Sequence, residues 1–303
     1  MLWFSTGKAI SLNGHRSARH CFVPCSRVIL LKSVTTTIVK CASGDIAVHQ
    51  TSGKGIPVML VHGNSASSRA FARQLNSPLG EKRRLIAIDL PGHGQSTNAS
   101  DPNHYGIAAY GRLIIELAKR LGVENGVFVG WSLGGHAVLE ATSDLPQATG
   151  FGIFGTPPLA FPPILDGVFF AHPAMPYTFA PVISPDEAPL YVAASFKNGF
   201  TDIAPAFVED VLRTDGRARA QLRNPNAAPF RDEVKVAASL KQPLAIFHGV
   251  DEQLIDGSYF AKLTLPTLWR GTVQMIEDAG HAPQWEQAAR FNALLDQFVS
   301  DVE

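Results

Sequence analysis

Apolar positions along this chain come in short blocks separated by turn residues. Two β-rich runs, 35–40 (TTTIVK) and 45–50 (DIAVHQ), flank a Cys-Ala-Ser-Gly turn and predict a hairpin. The next run, 56–61 (IPVMLV), is apolar throughout and ends at His62-Gly63. A run of that length without alternation predicts a strand covered on both faces, as in a parallel sheet. Residues 84–89 (RLIAID) repeat the pattern, and 127–130, 150–154, 243–248 and 272–276 continue it.

Helical patterns fall between those strands. Residues 68–75 predict a short helix, and 105–121 a longer one with Leu113, Leu117 and Leu121 on one face and Gly122 as its stop. Residues 133–142 predict a third, and Phe291, Leu294, Leu295 and Phe298 mark a C-terminal helix. Strands spaced by helices on this scale predict right-handed βαβ crossovers and an α/β fold with a mostly parallel, doubly wound sheet. The alternation breaks down over 157–235, where Pro157, Pro158, Pro162, Pro163, Pro173, Pro176 and Pro181 crowd the first part. A structureless loop of that length is implausible inside a compact domain, so the segment reads as an inserted helical cap. The expected layout is a core over 35–156 and 236–303 with a cap over 157–235.

Composition narrows the functions. Hydrophobic residues make up 46% of the 303 and charged residues 17%, as in a soluble globular chain. Lys and Arg number 26, as do Asp and Glu, which leaves no global field to attract nucleic acid. No window approaches the roughly 18 apolar residues of a membrane span. The charge is unevenly placed, because Lys8, Arg16, Arg19, Arg27, Lys32 and Lys40 all precede the first acid, Asp45. Cys21, Cys25 and Cys41 share that stretch, so no cysteine nucleophile or disulfide is available beyond it. Residues 1–34 read as a disordered N-terminal extension, either a transit peptide for an organelle or the product of a start codon placed too far upstream, with the second preferred. The expected location is cytoplasmic, or an organelle if the extension is a true transit peptide.

Gly130-Trp131-Ser132-Leu133-Gly134 is a G-x-S-x-G between a predicted strand and a predicted helix, the setting of a nucleophile elbow. Serine at its free pKa is a poor nucleophile, so a base and an orienting acid must follow it in the chain. His281 lies between the last strand and the last helix, where a loop can reach Ser132; a surface position is the competing reading. For the acid, Asp251 and Glu252 follow the strand that ends at His248-Gly249. Glu252, third after the glycine, is preferred and Asp251 is the alternative. Asp256 and Asp278 read as surface charges. The oxyanion needs two N–H donors, assigned to Leu133 and to Asn64 in the loop His62-Gly63-Asn64. His62 reads as a brace for that turn, and 89–96 (DLPGHGQS) as a structural loop. Trp131, Tyr191 and His136 read as packing or as walls that meet a small acyl ester or lactone. No metal-ligand cluster and no phosphate-binding glycine motif is present, so neither a metal nor a cofactor is expected.

With those residues in place the chain resembles the α/β-hydrolase family, in the H-G turn at 62–63, 89–96, 130–135 (GWSLGG) and the G-H at 280–281. Within it the chain looks most similar to the metal-independent N-acyl-homoserine lactonases, through HGNSAS (62–67), DLPGHGQST (89–97), GWSLGGH (130–136), GTPP (155–158), RTDGRAR (213–219) and DAGHAP (278–283). The resemblance spans roughly 35–303 and implies a serine hydrolase with Ser132, Glu252 and His281 as triad, Asn64 and Leu133 as oxyanion donors, and Tyr191 as a cap residue meeting the lactone. RTDGRAR is the more specific clue, because it lies in the cap, where loops set substrate choice. A carboxylesterase or enol-lactonase shares every core residue, and a non-catalytic ligand-binding protein on the same fold is a further alternative. Oligomeric state is not legible.

Overall fold

Residues 34–224 and 226–303 are described by the computed structural model; the expected extension, apart from Val34, lies outside them. The strands are β1 (Thr35–Cys41), β2 (Gly44–Gln50), β3 (Lys54–Val61), β4 (Arg83–Ile88), β5 (Val127–Trp131), β6 (Gly150–Phe154), β7 (Leu244–Gly249) and β8 (Gln274–Ile276). They form one sheet in the order β1-β2-β4-β3-β5-β6-β7-β8. The hairpin β1–β2 and its junction with β4 are antiparallel, and every later pairing is parallel.

The unbroken apolar strands are explained by cover on both faces. The pleat sends Val58 and Leu60 to one side and Met59 and Val61 to the other, and all four are buried. Met59 and Val61 join Leu113, Leu117 and Val138 in one apolar layer; Val58 and Leu60 join Phe71, Phe291, Leu294 and Phe298 in the second. The helices that supply these layers are α1 (Ala72–Leu75), α2 (Pro78–Lys82), α3 (Ile107–Leu121) and α4 (Leu133–Ala141), with α9 (Pro283–Glu286) and α10 (Ala288–Val302) at the C-terminal end. As expected, α3 ends at Gly122, which is left-handed and caps the carbonyls of Ala118 and Lys119.

The helix expected over 68–75 is divided into a 3-10 turn, Ser68–Phe71, followed by the single turn of α1. Sequence reading passed over α2, although Ser77 before Pro78 is a helix start, with the Ser77 hydroxyl capping the Leu79 N–H. Between β6 and β7 the chain forms α5 (Ala188–Ala193), α6 (Pro205–Arg213), α7 (Gly216–Gln221) and α8 (Glu233–Ser239). This insert rests on the loops after β3 and β4. Ser67 Oγ donates to Asp210 Oδ2 at 2.6 Å, and Arg213 Nη2 donates to the Ser96 carbonyl at 2.8 Å.

Candidate active site

Ser132 stands between β5 and α4 with φ 52° and ψ −120°, a left-handed conformation that a non-glycine residue holds only under constraint. The constraint comes from how tightly the elbow folds. A Cβ on Gly130 would lie 2.2 Å from the Gly134 carbonyl, and one on Gly134 would lie 2.2 Å from the Val61 carbonyl. The two motif glycines are therefore required by contact between β3, β5 and the start of α4. Ser132 N–H donates to the Phe154 carbonyl at 2.8 Å, which fixes the turn against β6.

The turn aims Ser132 Oγ at His281, whose Nε2 lies 3.0 Å away. Across the ring, Nδ1 lies 2.8 Å from Glu252 Oε2. With Nδ1–H donating to the carboxylate, Nε2 is left to accept the serine proton. Glu252 Oε1 accepts from the Leu254 N–H at 2.9 Å. Burial pushes the Glu252 carboxyl up, but the charge and hydrogen bond of His281, with the Leu254 N–H, outweigh it and hold Glu252 below its ordinary range. Asp251, the alternative acid, is exposed and makes no bond to His281. Its N–H instead donates to the Ala279 carbonyl, tying the two loops together.

Two groups hold the histidine loop, Trp131, expected as packing or a wall, and Glu286, which the sequence reading did not single out. Trp131 Nε1 donates to the His281 carbonyl at 2.8 Å. Glu286 accepts from the N–H of Gly280 at 2.8 Å and from that of Lys197 at 2.7 Å, joining the histidine loop to the insert. No local motif marks Glu286; only its position five residues after His281, in the first turn of α9, hints at it.

The loop after β3 lies directly against the serine, since a Cβ on Gly63 would sit 3.1 Å from Ser132 Cβ. This brings Asn64 beside Ser132, while Leu133, first residue of α4, has an N–H with no intrahelical acceptor. Asn64 Nδ2 donates to the Thr178 carbonyl in the insert at 2.9 Å. Above Ser132 is a cavity of about 60 Å³ walled by Asn64, Trp131 and His281 from the core and by Met175, Thr178, Tyr191 and Ser195 from the insert. Burial pushes the Tyr191 phenol up, so it faces the cavity as a neutral hydroxyl.

The remaining expected residues fall elsewhere. His136 is turned away from the cavity lining and pairs with Glu233 at 2.8 Å, where Glu233 also accepts the Leu159 N–H at 2.8 Å. It therefore joins α4 to α8. His62 braces its loop, accepting the Leu90 N–H at 3.0 Å. The loop over 89–96 is organised by Asp89, which accepts from the N–H groups of Ser68 and Gln95, both at 2.7 Å. Among the described residues no group of three or more His, Cys, Asp or Glu side chains could hold a metal ion, and no helix is long and apolar enough to cross a membrane.

Known proteins resemble this chain in sequence and fold. A crystal structure of the N-acyl homoserine lactonase AidH complexed with N-butanoyl homoserine is 34% identical, covers 88% of this chain and 97% of that one, and superposes with a TM-score of 0.84. The 2-hydroxymuconate semialdehyde hydrolase of Pseudomonas sp. (strain CF600) is 28% identical over 274 residues, 83% of this chain and 89% of that protein. Carboxylesterase CesB from Bacillus subtilis, 18% identical with a TM-score of 0.72 over 88% of this chain and 92% of that one, shares the fold. Residues 58–294, from the middle of β3 into α10, match the profile of the alpha/beta hydrolase family, and the chain belongs to that family as a serine hydrolase.

Proposed function

We propose that this hydrolase opens the lactone ring of N-acyl-homoserine lactones by acyl transfer through Ser132. The observation that carries the reading is the reach of the likeness to AidH. At 88% of the chain it exceeds what 35–156 and 236–303 could supply, so it runs through the insert that walls the cavity. In this reading 157–235 is a cap over a core that performs the chemistry.

Ser132 Oγ attacks the ring carbonyl while His281 Nε2 takes its proton, and Glu252 at Nδ1 stabilises the imidazolium that forms. The N–H groups of Asn64 and Leu133 hold the oxyanion, an interaction stronger in the transition state than in the bound lactone. His281 then returns the proton to the leaving ring oxygen, which opens the ring and leaves an acyl-enzyme. The freed hydroxyl stays tethered, so water activated by His281 must hydrolyse the ester before the ring recloses. Trp131 and Tyr191 form the walls that meet the substrate.

The test is ring opening followed by proton release, with short- and long-chain N-acyl-homoserine lactones and p-nitrophenyl esters as competing substrates, for the parent chain and Ser132→Ala. Lactone opening should exceed ester turnover in kcat/KM, persist in chelator, and fall on the order of 10⁴-fold or more in Ser132→Ala. Ester turnover with inert lactones would overturn the lactone reading and leave a serine esterase.

A further inference from the structure

The RTDGRAR segment divides its labour. Arg213 and Asp215 clasp the loop over 89–97: Arg213 bonds the Ser96 carbonyl, and the Asp215 N–H donates to the Gly92 carbonyl at 2.9 Å. Arg219, on α7, does something different. It is 3% exposed, and all of its hydrogen-bond partners are neutral. Nε donates to the Ala180 carbonyl at 2.6 Å, and Nη1 to the Val211 carbonyl at 3.3 Å and to Ser65 Oγ at 3.1 Å.

A buried guanidinium with no carboxylate in contact is costly, because its hydration is lost and no counter-charge replaces it. Its bond to Ser65 leads into the site. With its lone pair engaged by Arg219, Ser65 Oγ turns its proton to Asn64 Oδ1 at 3.2 Å, and the other end of that amide donates to Thr178. Ser65 itself is left-handed, at φ 56°, so the turn carrying Asn64 is strained and needs holding. A fixed, buried positive charge two hydrogen bonds from Asn64 also favours negative charge on a bound tetrahedral adduct.

We propose that Arg219 is a positioning residue of the oxyanion site: from the insert, its buried guanidinium locks Ser65 and Asn64 beside the nucleophile and supplies the positive field in which the oxyanion forms. The inference rests on the acyl-transfer reading above, although not on the lactone as substrate. It also gives the insert a part in the chemistry, beyond shaping the cavity.

Arg219→Met, Arg219→Lys, Ser65→Ala and the double variant Arg219→Met/Ser65→Ala would be compared with the parent chain. Three measurements serve: kcat and KM on the best ester or lactone, inhibition by a trifluoromethyl ketone that forms an anionic adduct on serine, and the melting temperature. Arg219→Met removes the unpaired buried charge but also the donor to the Ala180 and Val211 carbonyls, so its melting temperature should stay within a few degrees of the parent and is measured beside every rate. The expected result is a fall in kcat of about tenfold, below the hundredfold or more that loss of an oxyanion donor causes, with KM little changed. Ketone affinity should fall by the same factor, Lys should restore part of both, and the double variant should be no worse than Arg219→Met, since the two residues act in series. A folded Arg219→Met with unchanged kcat and ketone affinity overturns the proposal, as does a loss that only tracks the folded fraction. A serine-directed organophosphonate separates the two levels: a parent chain that does not react overturns the acyl-transfer reading with it, whereas equal reaction of the parent and Arg219→Met overturns this inference alone.

Discussion

The sheet core and the insert over 157–235 are held together by different means. In the core, strands of five to eight residues are buried on both faces, and the candidate triad rests on their ends through bonds of 2.8 to 3.0 Å. The insert is built from short helices, and seven of the ten large apolar side chains left exposed on the described residues belong to it, among them Ile164, Val182 and Leu190. Its buried apolar residues, among them Ile183, Val192, Phe196, Phe207 and Val211, join the sheet domain's second apolar layer, and polar clasps add to that hold, namely Asp210 with Ser67 and Arg69, Glu233 with His136, and Glu286 with Lys197. The two regions are thus held differently, although both line the space above Ser132. The strand ends bring Ser132, Glu252 and His281 within hydrogen-bond reach of one another, while the insert, held by packing and hydrogen bonds together, walls the space above them.

That division breaks most sharply at the acid. Glu252→Gln keeps the side-chain shape but removes the charge that stabilises the His281 imidazolium and sets its tautomer, and kcat should fall about 10³- to 10⁴-fold. Exposed Asp251→Asn should change it by less than about threefold. Initial rates on one substrate, with the melting temperature as control, decide the matter; the reverse ranking would give the acid role to Asp251.

The clasps should answer in the opposite currency, stability rather than rate. Glu233 is fully buried and serves both His136 and the Leu159 N–H. Glu233→Gln leaves that cluster mismatched and should destabilise by about 3 kcal/mol, a drop of several degrees in melting temperature. Rates per folded molecule should stay within about threefold of the parent. If kcat instead collapsed while melting held, His136 and Glu233 would belong to the site after all.

The same asymmetry governs what the sequence discloses. The eight strands are read from apolar runs bounded by turns, a local signal that leaves their order in the sheet open, and Ser132, Glu252 and His281 stand out because each follows a strand end. The core chemistry is legible because covalent neighbours position it. Arg219, Glu233 and Glu286 are not, since their partners are Ser65, His136 and Gly280, and two of those three are far away along the chain. Their burial is a product of tertiary packing that no periodicity records. The split of 68–75 at Phe71 is likewise unmarked in the sequence, and the Asp89 carboxylate that accepts the Ser68 N–H comes from the loop after β4.

The smallest expected effect lies inside the core, where one polar cluster is incomplete. His62 and His93 sit with ring centroids 5.1 Å apart, both fully buried. His93 Nδ1 lies 2.9 Å from the Pro91 carbonyl, to which it donates, but its Nε2 has no partner. Protonating Nε2 would create a buried donor with nothing to receive it. Burial, together with the neighbouring His62, accordingly lowers the His93 pKa from 6.5 to about 3. Between those values the unfolded chain binds a proton that the folded chain refuses, so stability falls as pH falls below 6.5, by about 1.4 kcal/mol per pH unit for this one group. Above 6.5 the two states bind alike and the effect vanishes. Urea unfolding at pH 7, 6 and 5 should therefore show a shallower loss in His93→Gln than in the parent, even if the variant is less stable at pH 7. Parallel curves for the two proteins would mean that His93 takes up its proton in the folded state, and that the core is less sealed at this point than its packing indicates.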